Sequence, residues 1–257
     1  MASRFWVGGT GTWDSTTTTH WAASSGGAGG ASAPVNGDSV TFDASSGGGT
    51  VTPDGTISGL SITTFATGNF GGTLAFNTNN PNLTITVIFD NNGTGIRTIN
   101  LGTSTFTLSA NNGTVLAFST ITNLTFSGAS STLIVNGSPV LNASTRTLIF
   151  GASLTWGTVT ISNGGSSSAY TAFNTTSGFT LTTLNLTAPV GLFVSSSFTV
   201  TNALNWAGSA FNNAIYVIAG TNNGSQTITV TNAGSALSWV AIGGIIFAGT
   251  AVSATNS

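Results

Sequence analysis

Threonine alternates with a single apolar residue in run after run. Examples are Leu83-Thr84-Ile85-Thr86-Val87, Thr105-Phe106-Thr107-Leu108, Thr158-Val159-Thr160-Ile161 and Thr227-Ile228-Thr229-Val230. A period of two puts one residue type on each face of an extended chain, and no helix satisfies that pattern. The strong helix formers are almost missing as well: Lys and Glu are absent and there is one Met. Thr, Ser and Asn supply 105 of the 257 residues and Gly another 35. The expected fold class is all-β.

Charge excludes whole classes of function. Charged residues make up 3% of the chain, against about 25% in an ordinary domain. Three scattered arginines and a net charge of −2 cannot neutralise a phosphate backbone, so no nucleic-acid partner is expected. A polybasic membrane anchor fails for the same reason. Disorder is not expected, because 40% of the residues are hydrophobic and net charge is low. Without cysteine there is no disulfide framework and no thiolate metal site. The N-terminus, Met1 to Gly9, lacks the continuous apolar stretch of a secretory signal. The most apolar run, Ala236 to Val252, is interrupted by Gly243 and Gly244. It reads as buried final strands rather than a membrane span.

Two zones differ in composition. Residues 1–54 hold Asp14, Asp38, Asp43 and Asp54, the single His20, and Trp6, Trp13 and Trp21. Residues 55–257 form a Thr/Asn/Ser-rich β-repeat in which apolar doublets recur, among them Leu60/Ile62, Leu83/Ile85, Leu124/Phe126, Leu148/Phe150 and Leu204/Trp206. Spacings near 18–24 residues suggest a β-solenoid-like stack of short strands, with residues 1–54 as a small cap or attachment module. Eight or nine coils at about 4.8 Å each would extend roughly 40 Å. The alternative is an antiparallel β-sandwich or jelly roll with Asn-Gly hairpins, for which Asn112-Gly113 is the clearest candidate. A sheet with no Lys or Glu to guard its edges calls for a homo-oligomer, a trimer being the commonest arrangement in spikes of this kind.

Each chemical possibility has a plainer reading beside it. Asp54 and Asp90 form a conceivable carboxylate pair for glycan cleavage, but Pro53-Asp54-Gly55 reads equally as a turn. Asp14 and His20 compose a triad with a serine only on paper, because no Gly-x-Ser-x-Gly elbow occurs. Gly8, Gly9 and Gly11 suggest a phosphate loop, but Asp14 stands where the third glycine belongs and the chain has no lysine. Asp14, Asp38 or Asp43 with backbone carbonyls could ligate Ca²⁺, although no known calcium-loop spacing is present. Thr-x-Thr recurs at 84/86, 105/107, 158/160, 180/182, 199/201 and 227/229. Such rows order water if they align, but their irregular intervals predict that they do not. Sequons at Asn82, Asn123 and Asn185 are expected by chance at this composition. Trp6, Trp13, Trp21, Trp156, Trp206 and Trp239 are sugar-stacking candidates if exposed. No catalytic residue, metal or cofactor is expected, and the chain is read as a non-enzyme.

The N-terminal block runs Phe5-Trp6-Val7-Gly8-Gly9-Thr10-Gly11-Thr12-Trp13-Asp14, then His20-Trp21, then Gly37-Asp38-Ser39-Val40-Thr41-Phe42-Asp43. It resembles the opening of small structural proteins of tailed bacteriophages. It is also similar, more loosely, to the opening of bacterial autotransporter passenger repeats. The first resemblance implies a virion-surface component, namely a capsid decoration, a head spike or a short tail fibre. Such a protein is assembled in the host cytoplasm without a signal peptide. Its partners are other capsid or tail proteins, with a host-surface glycan as a further candidate. Trp6, Trp13, Trp21, Asp38 and Phe42 are the expected attachment or cap residues. A bacterial surface adhesin is the second expectation and a glycan-degrading tail spike the third.

Overall fold

A computed structural model describes residues 1–137, 145–164, 171–174, 178–208, 215–219, 226–231, 236–238, 240–249 and 253–255. The chain is all-β, 56% strand and 4% helix. No helix of the described residues is long and apolar enough to cross a membrane.

The strands pair in three parallel ladders, and the chain visits the ladders in a fixed order. Register partners trace them. The first ladder runs through Val40, Phe65, Phe89, Leu116 and Leu148, then Phe173 and Val194. The second runs through Ile62, Ile85, Leu108, Val135, Ile161, Leu186, Trp206, Leu237 and Ala254. The third runs through Val51, Leu74, Ile99 and Phe126, and continues as Trp156, Leu181, Val200, Val230 and Gly249. Successive positions on the second ladder lie 17 to 31 residues apart. The doublet spacing in the sequence is narrower because it samples all three ladders.

Eight strands close into a parallel ring: Leu83–Asp90, Gly113–Ala117, Arg146–Ile149, Thr171–Phe173, Thr180–Val194, Thr155–Gly164, Leu124–Val135 and Thr105–Leu108. By hydrogen-bond topology this is a closed eight-stranded barrel with further strands outside it. Closure runs through Leu83–Asp90 and Thr180–Val194. Residues 83–85 pair in one ladder and 89–90 in another, and 180–187 and 190–194 divide in the same way.

Parallel pairing removes the hairpin alternative. Asn112-Gly113 lies between Thr105–Leu108 and Gly113–Ala117, which pair with other strands and not with each other. Gly113 has φ 75°, so this pair turns a corner between ladders. Among the described pairings only Ser3–Trp6 with Trp21–Ala22 is antiparallel. Asn163-Gly164 ends a parallel strand, and Asn223-Gly224 lies outside the described residues.

Alternation now has its physical cause. Most apolar positions of the described strands face one shared interior, and most Thr, Ser and Asn face out. An unbroken aromatic column fills that interior. It passes from Trp6 to Phe42, Phe65, Phe89, Phe118, Trp156, Phe150, Phe179 and Phe198, with neighbouring centroids 4.6 to 6.1 Å apart. Each ring is buried, and burying one side chain of this size contributes about 1.5–3 kcal/mol. The change of composition at residue 54 is not a break in the ladders, since Val40 pairs with Phe65 and Val51 with Leu74 across it.

Candidate functional site

The N-terminal block closes one end of the interior. Trp6, Trp13, Trp21 and Phe42 form one cluster, with centroid distances of 5.1 Å for Trp6–Trp21, 5.6 Å for Trp13–Trp21 and 5.7 Å for Trp6–Phe42. Val40 is buried beside them. The imidazole of His20 stacks on Trp6 at 4.8 Å, with the planes 7° apart. Its Nδ1 lies 3.2 Å from the Val7 carbonyl, and the Trp6 indole donates to the Gly9 carbonyl at 2.8 Å.

This packing explains the glycines. A Cβ on Gly11 would stand 2.6 Å from His20 Nε2, and one on Gly8 would stand 2.9 Å from Nδ1. Gly8 and Gly11 therefore leave room for an imidazole, and Gly8 and Gly9 also hold positive φ, 97° and 69°. His20 packs as a ring between Trp6 and that loop.

The carboxylates serve local backbone. Asp38 is buried and accepts the Ala2 N–H at 2.6 Å and the Val35 N–H at 3.3 Å, with Arg4 Nε at 3.7 Å. It ties the first residues to the turn before Ser39–Thr41. Asp14 accepts the Thr16 and Thr17 N–H groups at 2.7 and 2.6 Å and the Thr17 hydroxyl at 2.7 Å. Burial alone would raise its pKa, but the Thr17 and Thr16 hydrogen bonds outweigh it and bring it down to about 2. Asp43 forms a capping box with Ser46 over the turn Ala44–Ser46. Asp54 caps Gly55–Ile57 through the Thr56 N–H, and Asp90 accepts the Asn92 N–H. Among the described residues no group of three or more His, Asp or Glu converges as a metal site.

The five described tryptophans are not a sugar platform. Trp6, Trp13, Trp21, Trp156 and Trp206 are at most 1% exposed, and Trp239 lies outside the described residues. What the surface offers is rows of hydroxyls. As their intervals predict, the Thr-x-Thr pairs do not stack as pairs: Thr84 registers with Thr107 and not Thr105, and Thr199 with Thr229 and not Thr227. Single threonines do form columns. Thr50, Thr73, Thr98 and Thr125 share one register column on the third ladder. Thr155, Thr180, Thr199 and Thr229 share another. Unequal corner segments between strands absorb the irregular spacing, so equal intervals are not needed for alignment. On the second ladder Asn205 Nδ2 donates to Asn185 Oδ1 at 3.0 Å, and Asn185 Nδ2 to Thr160 Oγ1 at 3.2 Å. Two shallow grooves mark the surface, and the second follows the Thr180–Thr199–Thr229 column. One of about 370 Å³ is lined by Ser25, Asp43, Ser45, Asn69 and Thr94. The other, of about 400 Å³, is lined by Ser153, Thr180, Ser197, Thr199 and Thr229.

Two buried arginines escaped the sequence reading. Arg97 is 1% exposed and has no carboxylate beside it. It donates to Asn91 Oδ1 and the Asn91 carbonyl at 2.9 Å, to the Gly95 and Thr120 carbonyls at 2.9 Å, and to the Thr122 carbonyl at 3.2 Å. Arg146 is fully buried and donates to the Gly137 carbonyl and to Thr171 Oγ1. Burial lowers the pKa of both, Arg146 to about 10. Both begin an Arg-Thr-apolar strand (97–99 and 146–148), a shared signal the sequence does contain.

No protein-family model, curated protein or solved structure matches the chain.

Proposed function

We propose that this protein is a non-enzymatic structural component of a bacteriophage virion surface, built as a three-sided β-solenoid shaft. The observation that carries it is the set of three parallel ladders stacked around one aromatic column. Such a shaft is rigid along its length and covered with Thr, Ser and Asn on its sides. The Trp6, Trp13, Trp21 and Phe42 cluster, with Asp38 holding the first residues in place, shapes the end that docks on the particle. Contacts made through backbone, hydroxyl and apolar groups depend weakly on salt. Quantitative mass spectrometry of density-purified particles tests the assignment. Copies in proportion to the major capsid protein support decoration, and a few copies per particle support a spike or fibre. Absence from particles, with the protein on bacterial cells, overturns it in favour of an adhesin.

The registered threonine columns favour a second reading, a face that orders water into an ice-like layer. Its registered repeat is about 4.8 Å between strands; two residues along, the third ladder reads Ala75, Asn100 and Ser127. Ice-recrystallisation inhibition by the purified protein, lost on Thr180→Lys with Thr199→Lys, supports it. No effect on ice growth removes it.

A further inference from the structure

The outward face of the second ladder has a repeat in two directions, which the third ladder lacks. Residues 105–108, 132–135, 158–161 and 183–186 stack there in unbroken register. One outward column is Thr105, Thr132, Thr158 and Thr183. The next, two residues along, is Thr107, Ile134, Thr160 and Asn185. Thr105 and Thr107 thus stand on Thr132 and Ile134 rather than on another Thr-x-Thr pair, and that row in turn stands on Thr158 and Thr160. Six of these eight positions are threonine. Thr84 and Asn205 extend the second column at its two ends.

The grid is held rigidly. All eight side chains are half-buried. The residues between the columns, Phe106, Leu133, Val159 and Leu184, are at most 2% exposed, so the core fixes every row from beneath. β-Branching leaves threonine few χ1 choices, and the bonds from Asn205 to Asn185 and from Asn185 to Thr160 tie rows to one another. Rows lie about 4.8 Å apart and columns about 6.7 Å apart. No charged residue stands on these four segments.

We infer that this second-ladder face is an ice-binding surface, with ordered water as its ligand. The inference rests on the water-ordering reading above and adds a face to it. Ice repeats in two directions across any of its surfaces. A single column fixes one of them, whereas a registered grid fixes both. Each threonine presents a methyl group, around which water loses orientational freedom, and a hydroxyl that both donates and accepts. A protein partner needs buried aromatic or apolar anchors, and this grid offers Ile134 alone. None of its eight residues lines either groove.

Ice-recrystallisation inhibition, measured over a dilution series of the full chain, tests the inference. Thr107→Lys with Thr158→Lys should raise the concentration needed for inhibition at least tenfold, and no less than Thr180→Lys with Thr199→Lys does. Thr114→Lys, at an exposed first-ladder site, should leave it unchanged. Thr107→Val with Thr158→Val keeps the side-chain shape and removes only the hydroxyls. It should raise the concentration at least threefold while the circular dichroism of the folded chain is retained. Full activity in both second-ladder variants, with loss in the third-ladder pair, overturns this inference and leaves the water-ordering reading standing. No effect of the unsubstituted chain on ice growth removes both. A dimer in sedimentation velocity that Thr107→Lys with Thr158→Lys dissociates shows that a second copy covers the face, and overturns the inference as well.

Discussion

Replacing Arg97 by Met probes how a nearly uncharged protein uses one of its few charges. Met matches the length of the arginine stem but removes all five donated hydrogen bonds. Bonds from a charged donor contribute about 1.5–3 kcal/mol each, and each orphaned carbonyl costs about 1–3 kcal/mol. Four backbone carbonyls lose this donor, while Asn91 Oδ1 keeps the Thr67 hydroxyl at 2.8 Å. Against that gross loss stands the desolvation of the guanidinium, several kcal/mol, which Met avoids. The expected net loss is about 3–5 kcal/mol, in the range found when one partner of a buried charged network is removed. Arg97→Lys should lose more than half as much, because an ammonium has three donors and no fork. Urea denaturation gives the loss, and hydrogen exchange should place it in residues 91–122, which the guanidinium bridges. A loss under about 1 kcal/mol for Arg97→Met, or wild-type stability for Arg97→Lys, would show that the carbonyls find other partners and that the clamp is dispensable.

Further outcomes follow from the N-terminal end and the core. Gly11→Ala pushes a methyl into His20 and should cost about 1–3 kcal/mol. Adding His20→Ala should recover part of that cost, and strict additivity in thermal unfolding would refute the contact. Asp14 has a folded pKa of about 2, below its ordinary 3.8. Its contribution is therefore complete above about pH 4 and lost as pH falls toward 2. Because the group is largely solvated the effect is small, and Asp14→Asn should flatten that part of the stability–pH curve. Phe89→Ala opens the middle of the aromatic column and should cost about 3–5 kcal/mol in denaturant unfolding. A value near 1 kcal/mol would mean that the interior collapses around the gap.

Strand content and the inward or outward role of nearly every apolar residue were legible in the sequence, because period two leaves no other arrangement. Parallel against antiparallel pairing was not. Asn112-Gly113 serves a corner as well as a hairpin, and only the partner strands decide between them. Trp6, Trp13, Trp21 and Phe42 of the N-terminal block meet in one cluster, while Asp38 binds the Ala2 and Val35 N–H groups. Their burial was beyond reach, since an indole at a strand end looks the same in sequence whether it faces water or core. Thr50, Thr73, Thr98 and Thr125 form a column that sequence spacing alone does not reveal, because the corners between strands vary in length. Arg97 and Arg146 were passed over because a lone arginine is usually solvated, and the carbonyls that hold Arg97 come from residues up to 25 positions away.

The scarcity of charge has a practical consequence at the bench. Trypsin recognises only Arg4, Arg97 and Arg146, and the latter two are buried in the folded chain. Even after unfolding, complete cleavage leaves one piece spanning residues 147–257, too long and too poor in basic groups to ionise well. Enzymes directed at lysine or glutamate find no site at all. A routine tryptic survey would therefore undercount this protein severely. Copy number has to be read from chymotryptic or elastase peptides, or from the intact mass, before its abundance on any particle is judged.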